Sequence, residues 1–162
     1  MTGKFAAQPQ TIYLAASALV KRYLAECGSA WVESLCADEA NNPIAIARFG
    51  LVETAAAFAA KRRGQFITDS EYESALGDLL RDAGERYRLI AVGPMVIDSA
   101  IQLTRRQKLR GYDAIHLACA LTLNKPLIDH GLPRLTFVAA DDNLLAAAQS
   151  EGLITENPNA HP

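Results

Sequence analysis

Five short apolar runs punctuate the sequence, at residues 11–14, 44–46, 89–92, 135–139 and 153–155. Stretches of helical composition separate them, and no Asn-Gly or comparable two-residue hairpin signal joins any pair. Strands that are apolar on both faces and linked through helices belong in a parallel sheet covered on both sides. The expected fold class is therefore α/β with a central parallel sheet. Such sheets bind ligands beyond the carboxyl ends of their strands, where the strand order reverses. Ala15 follows the first run and Asp141 the fourth, so both positions are candidates for function.

The segments between the runs predict helices over 17–25, 30–40, 47–63, 69–87, 94–108, 112–123 and 144–150. Ser29 reads as the cap of the second helix. Thr68 and Glu71 fit a capping box for the fourth. Residues 125–134 hold two prolines and a glycine and read as a loop. Residues 11–155 are expected to form one domain, with 1–10 and 156–162 as flexible flanks.

A chain of 162 residues, half of them hydrophobic, is long enough for a real core. Its net charge of −2, with both signs well mixed, argues against a disordered tail or a strongly basic nucleic-acid binder. Cys27, Cys36 and Cys119 lack C-x-x-C spacing and read as small thiols in a reducing cytosol. They show no zinc-ligand spacing with His116, His130 or His161. No apolar run reaches the length of a membrane span, and residues 1–10 lack the apolar core of a signal peptide. The expectation is a soluble, cytoplasmic protein.

Three acids stand out by their neighbours. Glu53 lies in an alanine-rich helix that otherwise looks buried, where an ionised carboxylate needs a partner or a cation; an exposed stripe is the alternative. Asp113 precedes the most apolar helix and Asp141 ends a strand; each also suits a helix cap. Together the three occupy positions that can face one rim of a parallel sheet. Carboxylates crowded there repel unless a divalent cation compensates, and hard oxygen ligands suit Mg²⁺ or Mn²⁺. His116, one turn after Asp113, can touch the same site or be a bonded core histidine. Ser17 and Asn143 can bond ligand waters or a phosphate, or cap helices. No phosphate-cradling glycine motif and no serine-hydrolase elbow is present.

Four blocks carry a family resemblance: I-Y-L-A-A-S-A-L-V-K-R-Y, L-V-E-T-A-A-A-F, L-R-G-Y-D-A-I-H-L-A-C-A-L and F-V-A-A-D-D-N-L-L-A-A-A-Q-S-E-G-L. In this order they resemble the motif blocks of PIN-domain proteins, and more closely the VapC-type toxins of bacterial toxin–antitoxin pairs. The resemblance implies a Rossmann-like three-layer sandwich and a Mg²⁺-dependent endoribonuclease. It implies that Glu53, Asp113 and Asp141 belong to the acidic cluster that binds metal and activates water, with Asp113 and Asp141 among the metal ligands. It also implies a small antitoxin partner and a homodimer. The departure is at the first block, where the family has an aspartate right after the strand and this chain has Ala15. That residue is an expected metal ligand, so metal binding and catalysis should be weakened.

An otherwise intact motif set around one missing acid fits a single-site inactivation of a toxin. The alternative is a natural non-catalytic module that binds RNA or an antitoxin. Arg105, Arg106, Lys108 and Arg110 lead directly to Asp113 and are candidates for RNA-backbone contact; Lys61, Arg62 and Arg63 read equally as a solvated helix end.

Overall fold

The computed structural model describes residues 8–162, so the expectation of a flexible N-terminus lies outside the described residues for 1–7. Strands β1 (Ile12–Leu14), β2 (Ile44–Ala47), β3 (Tyr87–Ile90), β4 (Thr136–Val138) and β5 (Ile154–Glu156) form one sheet. Their order is β3-β2-β1-β4-β5, and every neighbouring pair is parallel. The chain builds outward from β1 to β3, then returns to place β4 on the other side of β1. The order reverses between β1 and β4, which makes their carboxyl ends the binding crevice.

Alternation along these short strands creates two cores. Ile12, Leu14, Ile44, Ile46 and Val138 face α1 (Ala16–Tyr23), α2 (Ser29–Cys36), α3 (Gly50–Arg63) and α4 (Asp69–Glu85). Tyr13, Ala45, Ala47 and Phe137 face α5 (Pro94–Arg106), α6 (Gly111–Asp129) and α7 (Asp142–Ser150). The result is the expected three-layer sandwich. Among the described residues no helix is long and apolar enough to cross a membrane.

The capping box at Thr68 and Glu71 is present. Several boundaries differ from expectation. Residues 125–134 are not one loop: α6 runs through Pro126 to Asp129. A proline there removes a single ladder bond near the helix end, while Leu123 and Leu127 still pack on the core. The helix closes at Gly131, whose φ of +67° lets Leu132 donate back to the Leu127 carbonyl. Ala47 belongs to β2 rather than to the following helix, because the sheet continues there: Arg48 N–H bonds the Ile90 carbonyl. The third strand spans Tyr87–Ile90 rather than 89–92 and, as a sheet edge, is only half-buried.

Ser29 does not cap α2; Gly28 is the cap residue, and the Ser29 hydroxyl accepts from Glu26 N–H and donates to the Leu24 carbonyl. Cys27 is exposed, while Cys36 and Cys119 are buried. The C-terminal flank is packed rather than loose. Residues Pro158–Ala160 form a short 3-10 turn, His161 stacks on Trp31 with ring centroids 4.2 Å apart, and Gly28 backs directly onto Pro158.

Candidate active site

Ala15 links β1 to α1 in the crevice, 2 % exposed. Its N–H donates to the Val138 carbonyl at 3.0 Å, and its own carbonyl accepts from Ala18 and Leu19. Backbone bonds alone therefore turn the chain from strand to helix. Ala15 occupies the N-cap of α1 with extended backbone and offers no side-chain bond. The Ser17 hydroxyl accepts from Ala140 N–H at 3.0 Å, tying α1 to the segment that leaves β4.

A cavity of about 130 Å³ opens over this point, lined by Ala15, Ser17, Glu53, Asp113, His116 and Asp141 among others. The three acids singled out in the sequence are thus brought together from three helices. Each is already engaged. Glu53, in the first turn of α3, takes a hydrogen bond of 2.6 Å from His116 Nε2. Asp113 takes one of 2.8 Å from Arg110 Nε. Asp141 Oδ1 accepts Leu144 N–H at 2.9 Å, and its Oδ2 lies 3.6 Å from Arg110 Nη2.

These contacts bear on three of the readings. Asp113 is not the N-cap of α6, a position Arg110 holds, but it lies in the first turn, where the helix dipole favours its charge, and it accepts from Arg110. Asp141 is the N-cap of α7 and faces the site as well. His116, 2 % exposed, is a bonded core histidine and touches the site through Glu53. The bond to Asp113 holds the Arg110 guanidinium above its usual range, with further help from Asp141.

The basic candidates separate. Lys108 and Arg110 line an open groove of about 570 Å³ that continues from the acids past Asn143. Arg106 is turned away, bound through two nitrogens to Glu151 at 2.8 Å each. Arg105 bonds Gln102 on its own helix. Lys61 pairs with Glu26, and Arg62 covers the Tyr72 ring. Helix-end pairing explains all four without a nucleic acid.

As it stands the site presents fewer oxygen ligands than a divalent ion takes. Among the described residues no group of three His, Cys, Asp or Glu side chains is disposed to hold a metal. The strand-end position that would add an oxygen carries a methyl group, and Arg110 already serves as the cation between Asp113 and Asp141. One participant was not singled out from the sequence: Tyr13, whose hydroxyl bonds His116 Nδ1 at 2.9 Å. A tyrosine in an otherwise aliphatic buried strand was the available signal, because a buried phenol needs a polar partner.

No protein-family model matches the sequence. Ribonucleases VapC45 and VapC49 of Mycobacterium tuberculosis are each 34 % identical over 115 residues, covering 71 % of this chain and 78 % of theirs. Similar solved structures include VapBC2 from Rickettsia felis bound to a promoter DNA fragment, with TM-score 0.59 and 16 % identity over 91 % of this chain and 98 % of that one. Another is M. tuberculosis VapC20, a sarcin-ricin loop cleaving toxin, with TM-score 0.57 and 15 % identity over 89 % and 97 %. PAE2754 from Pyrobaculum aerophilum gives 0.58 and 19 % over 93 % and 92 %. The structural likeness establishes the fold, the closer sequence likeness reaches further, and together they make this chain a member of the VapC family of PIN-domain ribonucleases.

Proposed function

We propose that the chain is an endoribonuclease toxin of a toxin–antitoxin pair whose hydrolytic chemistry is impaired by Ala15. The observation that carries the reading is the convergence of Glu53, Asp113 and Asp141 on the crevice after β1, beside a groove rimmed by Lys108 and Arg110. In a complete site of this kind Mg²⁺ or Mn²⁺ supplies a water-derived nucleophile and steadies charge on the phosphodiester. Here Asp113 and Asp141 are the ligands left to bind it, and occupancy is weak. Lys108 and Arg110 hold the RNA backbone through phosphate contacts. The protein partner is a cognate antitoxin, as in the VapBC2 complex of R. felis. Exposed Met95, Ile97 and Ile101 on α5 suit a homodimer contact, and the three unbridged cysteines suit the cytoplasm.

A second reading is a module that binds RNA or antitoxin without cutting. It is favoured by Arg110, which neutralises two of the acids without any ion.

The test is Ala15→Asp, assayed on transfer and ribosomal RNA with Mn²⁺ and with chelator. Cleavage at least about 100-fold above the parent, abolished by chelator, is expected, equivalent to roughly 2.7 kcal/mol of barrier. A folded Ala15→Asp protein that leaves every RNA intact would sink the toxin reading and leave the binding module.

A further inference from the structure

A line of hydrogen bonds runs from the middle of the sheet to the candidate active site. It starts at Tyr13, which is fully buried on β1 and stacked on Phe137 with centroids 5.3 Å apart. The Tyr13 hydroxyl meets His116 Nδ1 at 2.9 Å, and His116 Nε2 meets Glu53 Oε2 at 2.6 Å. The imidazole is clamped on its faces and edges too. Phe49 packs on it with centroids 4.6 Å apart, and Gly50 lies alongside, where an added Cβ would make ordinary contact with the ring at 3.4 Å.

An ionised carboxylate only accepts, so Glu53 at 2.6 Å calls for a proton on His116 Nε2, and a neutral imidazole then has Nδ1 open to accept from the phenol. Burial above all, with the nearby Cys119 thiol and Glu53 carboxylate adding to it, raises the Tyr13 phenol well above its ordinary range. The phenol therefore keeps its proton and has it to give. A neutral imidazole has one donor and one acceptor nitrogen. If Nδ1 accepts from the phenol, Nε2 carries the proton and donates to the carboxylate.

We propose that Tyr13 and His116 are positioning residues for Glu53: the phenol fixes the imidazole with its proton on Nε2, and the imidazole fixes one carboxylate oxygen of Glu53, leaving the other for the site. The line works without the acid missing at position 15 and without an ion. Glu53 is thus held ready in this chain even though the neighbouring ligand position is empty of oxygen. The geometry gives the buried Tyr13 hydroxyl its polar partner. Tyr13 meets Nδ1 from one side and the Glu53 carboxylate meets Nε2 from the other.

The catalytic part of this inference rests on the nuclease reading above; the hydrogen-bond part does not, and the two are tested separately. Heteronuclear NMR of the isotopically labelled full chain should show His116 protonated at Nε2 and bare at Nδ1. Tyr13→Phe keeps the stack on Phe137 and removes only the hydroxyl; Nε2 should stay protonated against the acceptor-only Glu53 carboxylate, while the Nδ1 resonance shifts as its partner is lost, with the fold unchanged. In the carbon-labelled protein, His116→Leu should shift the Glu53 carboxyl resonance, and His116→Gln, which keeps a donor at the Nε2 position, should largely restore it.

The rate measurements use Ala15→Asp as background. There, His116→Leu should lower kcat by about 10–100-fold, the usual cost of losing a group that orients a site carboxylate. KM for RNA should stay constant, and His116→Gln should recover most of the rate. A proton found on Nδ1 of His116 in the unmodified chain overturns the proposed line. So does a folded His116→Leu variant whose Glu53 resonance and kcat both match the background. If Ala15→Asp itself never cuts RNA, the nuclease reading fails, while the NMR result decides the positioning line alone.

Discussion

Ala15→Asp has consequences for stability that follow from the site's geometry. The position is the N-cap of α1 with extended backbone and no side-chain bond. An aspartate there gains about 1 kcal/mol from capping and about 0.5 from the helix dipole. Against this, the new carboxylate enters a nearly dry position beside three acids. Arg110 compensates Asp113 and Asp141, and His116 donates to Glu53, so roughly one repulsion is left uncompensated. Two carboxylates about 5 Å apart repel by about 3 kcal/mol at an effective dielectric constant near 20. The expected net loss is about 2 kcal/mol, or roughly 4–8 °C in Tm for a chain of this size. Mn²⁺ at about 100 times its Kd returns about 2.7 kcal/mol. Thermal unfolding with Mn²⁺ and with chelator measures both. Repulsion raises folded-state carboxyl pKa values, and such groups favour the fold below their unfolded pKa and lose that contribution as pH rises through the folded value. The variant's deficit should therefore shrink toward about pH 4. A variant as stable as the parent in chelator, with no greater response to Mn²⁺, would refute the assignment of position 15 to a cation site.

Three further perturbations test other parts of the molecule. Arg110→Gln should weaken RNA binding, lower the slope of log affinity against log salt by about one phosphate contact, and make the site more responsive to Mn²⁺; unchanged salt dependence in a filter-binding titration would remove Arg110 from the RNA surface. Burial works to raise the Glu26 carboxyl, but hydrogen bonds from Lys61 and Lys21 outweigh it and hold the group below its ordinary range. Its stabilising contribution is present above the unfolded carboxylate pKa and fades as pH falls through the lowered folded value. Glu26→Gln, which leaves buried Lys21 without its ion partner, should cost about 1–2 kcal/mol near neutral pH after allowing for solvent screening, and less in acid, in denaturant titrations at several pH values. Gly28→Ala would place a Cβ 2.2 Å from the Pro158 carbonyl oxygen at a φ of +82°. A loss of about 1–3 kcal/mol and faster proteolytic trimming of the C-terminus are expected.

Layering and the parallel sheet were legible in the sequence because short apolar strands between helices admit few arrangements; the strand order was not. The four motif blocks placed Glu53, Asp113 and Asp141 at one point, and the fold brings them there. What failed were features decided by tertiary contact. Pro126 reads as a breaker, yet packing of Leu123 and Leu127 carries α6 past it. Ser29 reads as a cap, yet the preceding turn claims its hydroxyl. Arg106 reads as part of a basic approach to the site, yet Glu151, distant in sequence, takes its guanidinium. A phenol in a buried aliphatic strand signals a polar partner for Tyr13, but that the partner is His116 on α6 is decided only by the fold.

The bonds from Ala15 to Val138 and from Ser17 to Ala140 close the two strand exits on each other with main chain and one hydroxyl. The mouth of the crevice is therefore assembled before any acid at position 15 is needed. A change of side chain at position 15 therefore leaves the main-chain frame of the crevice in place.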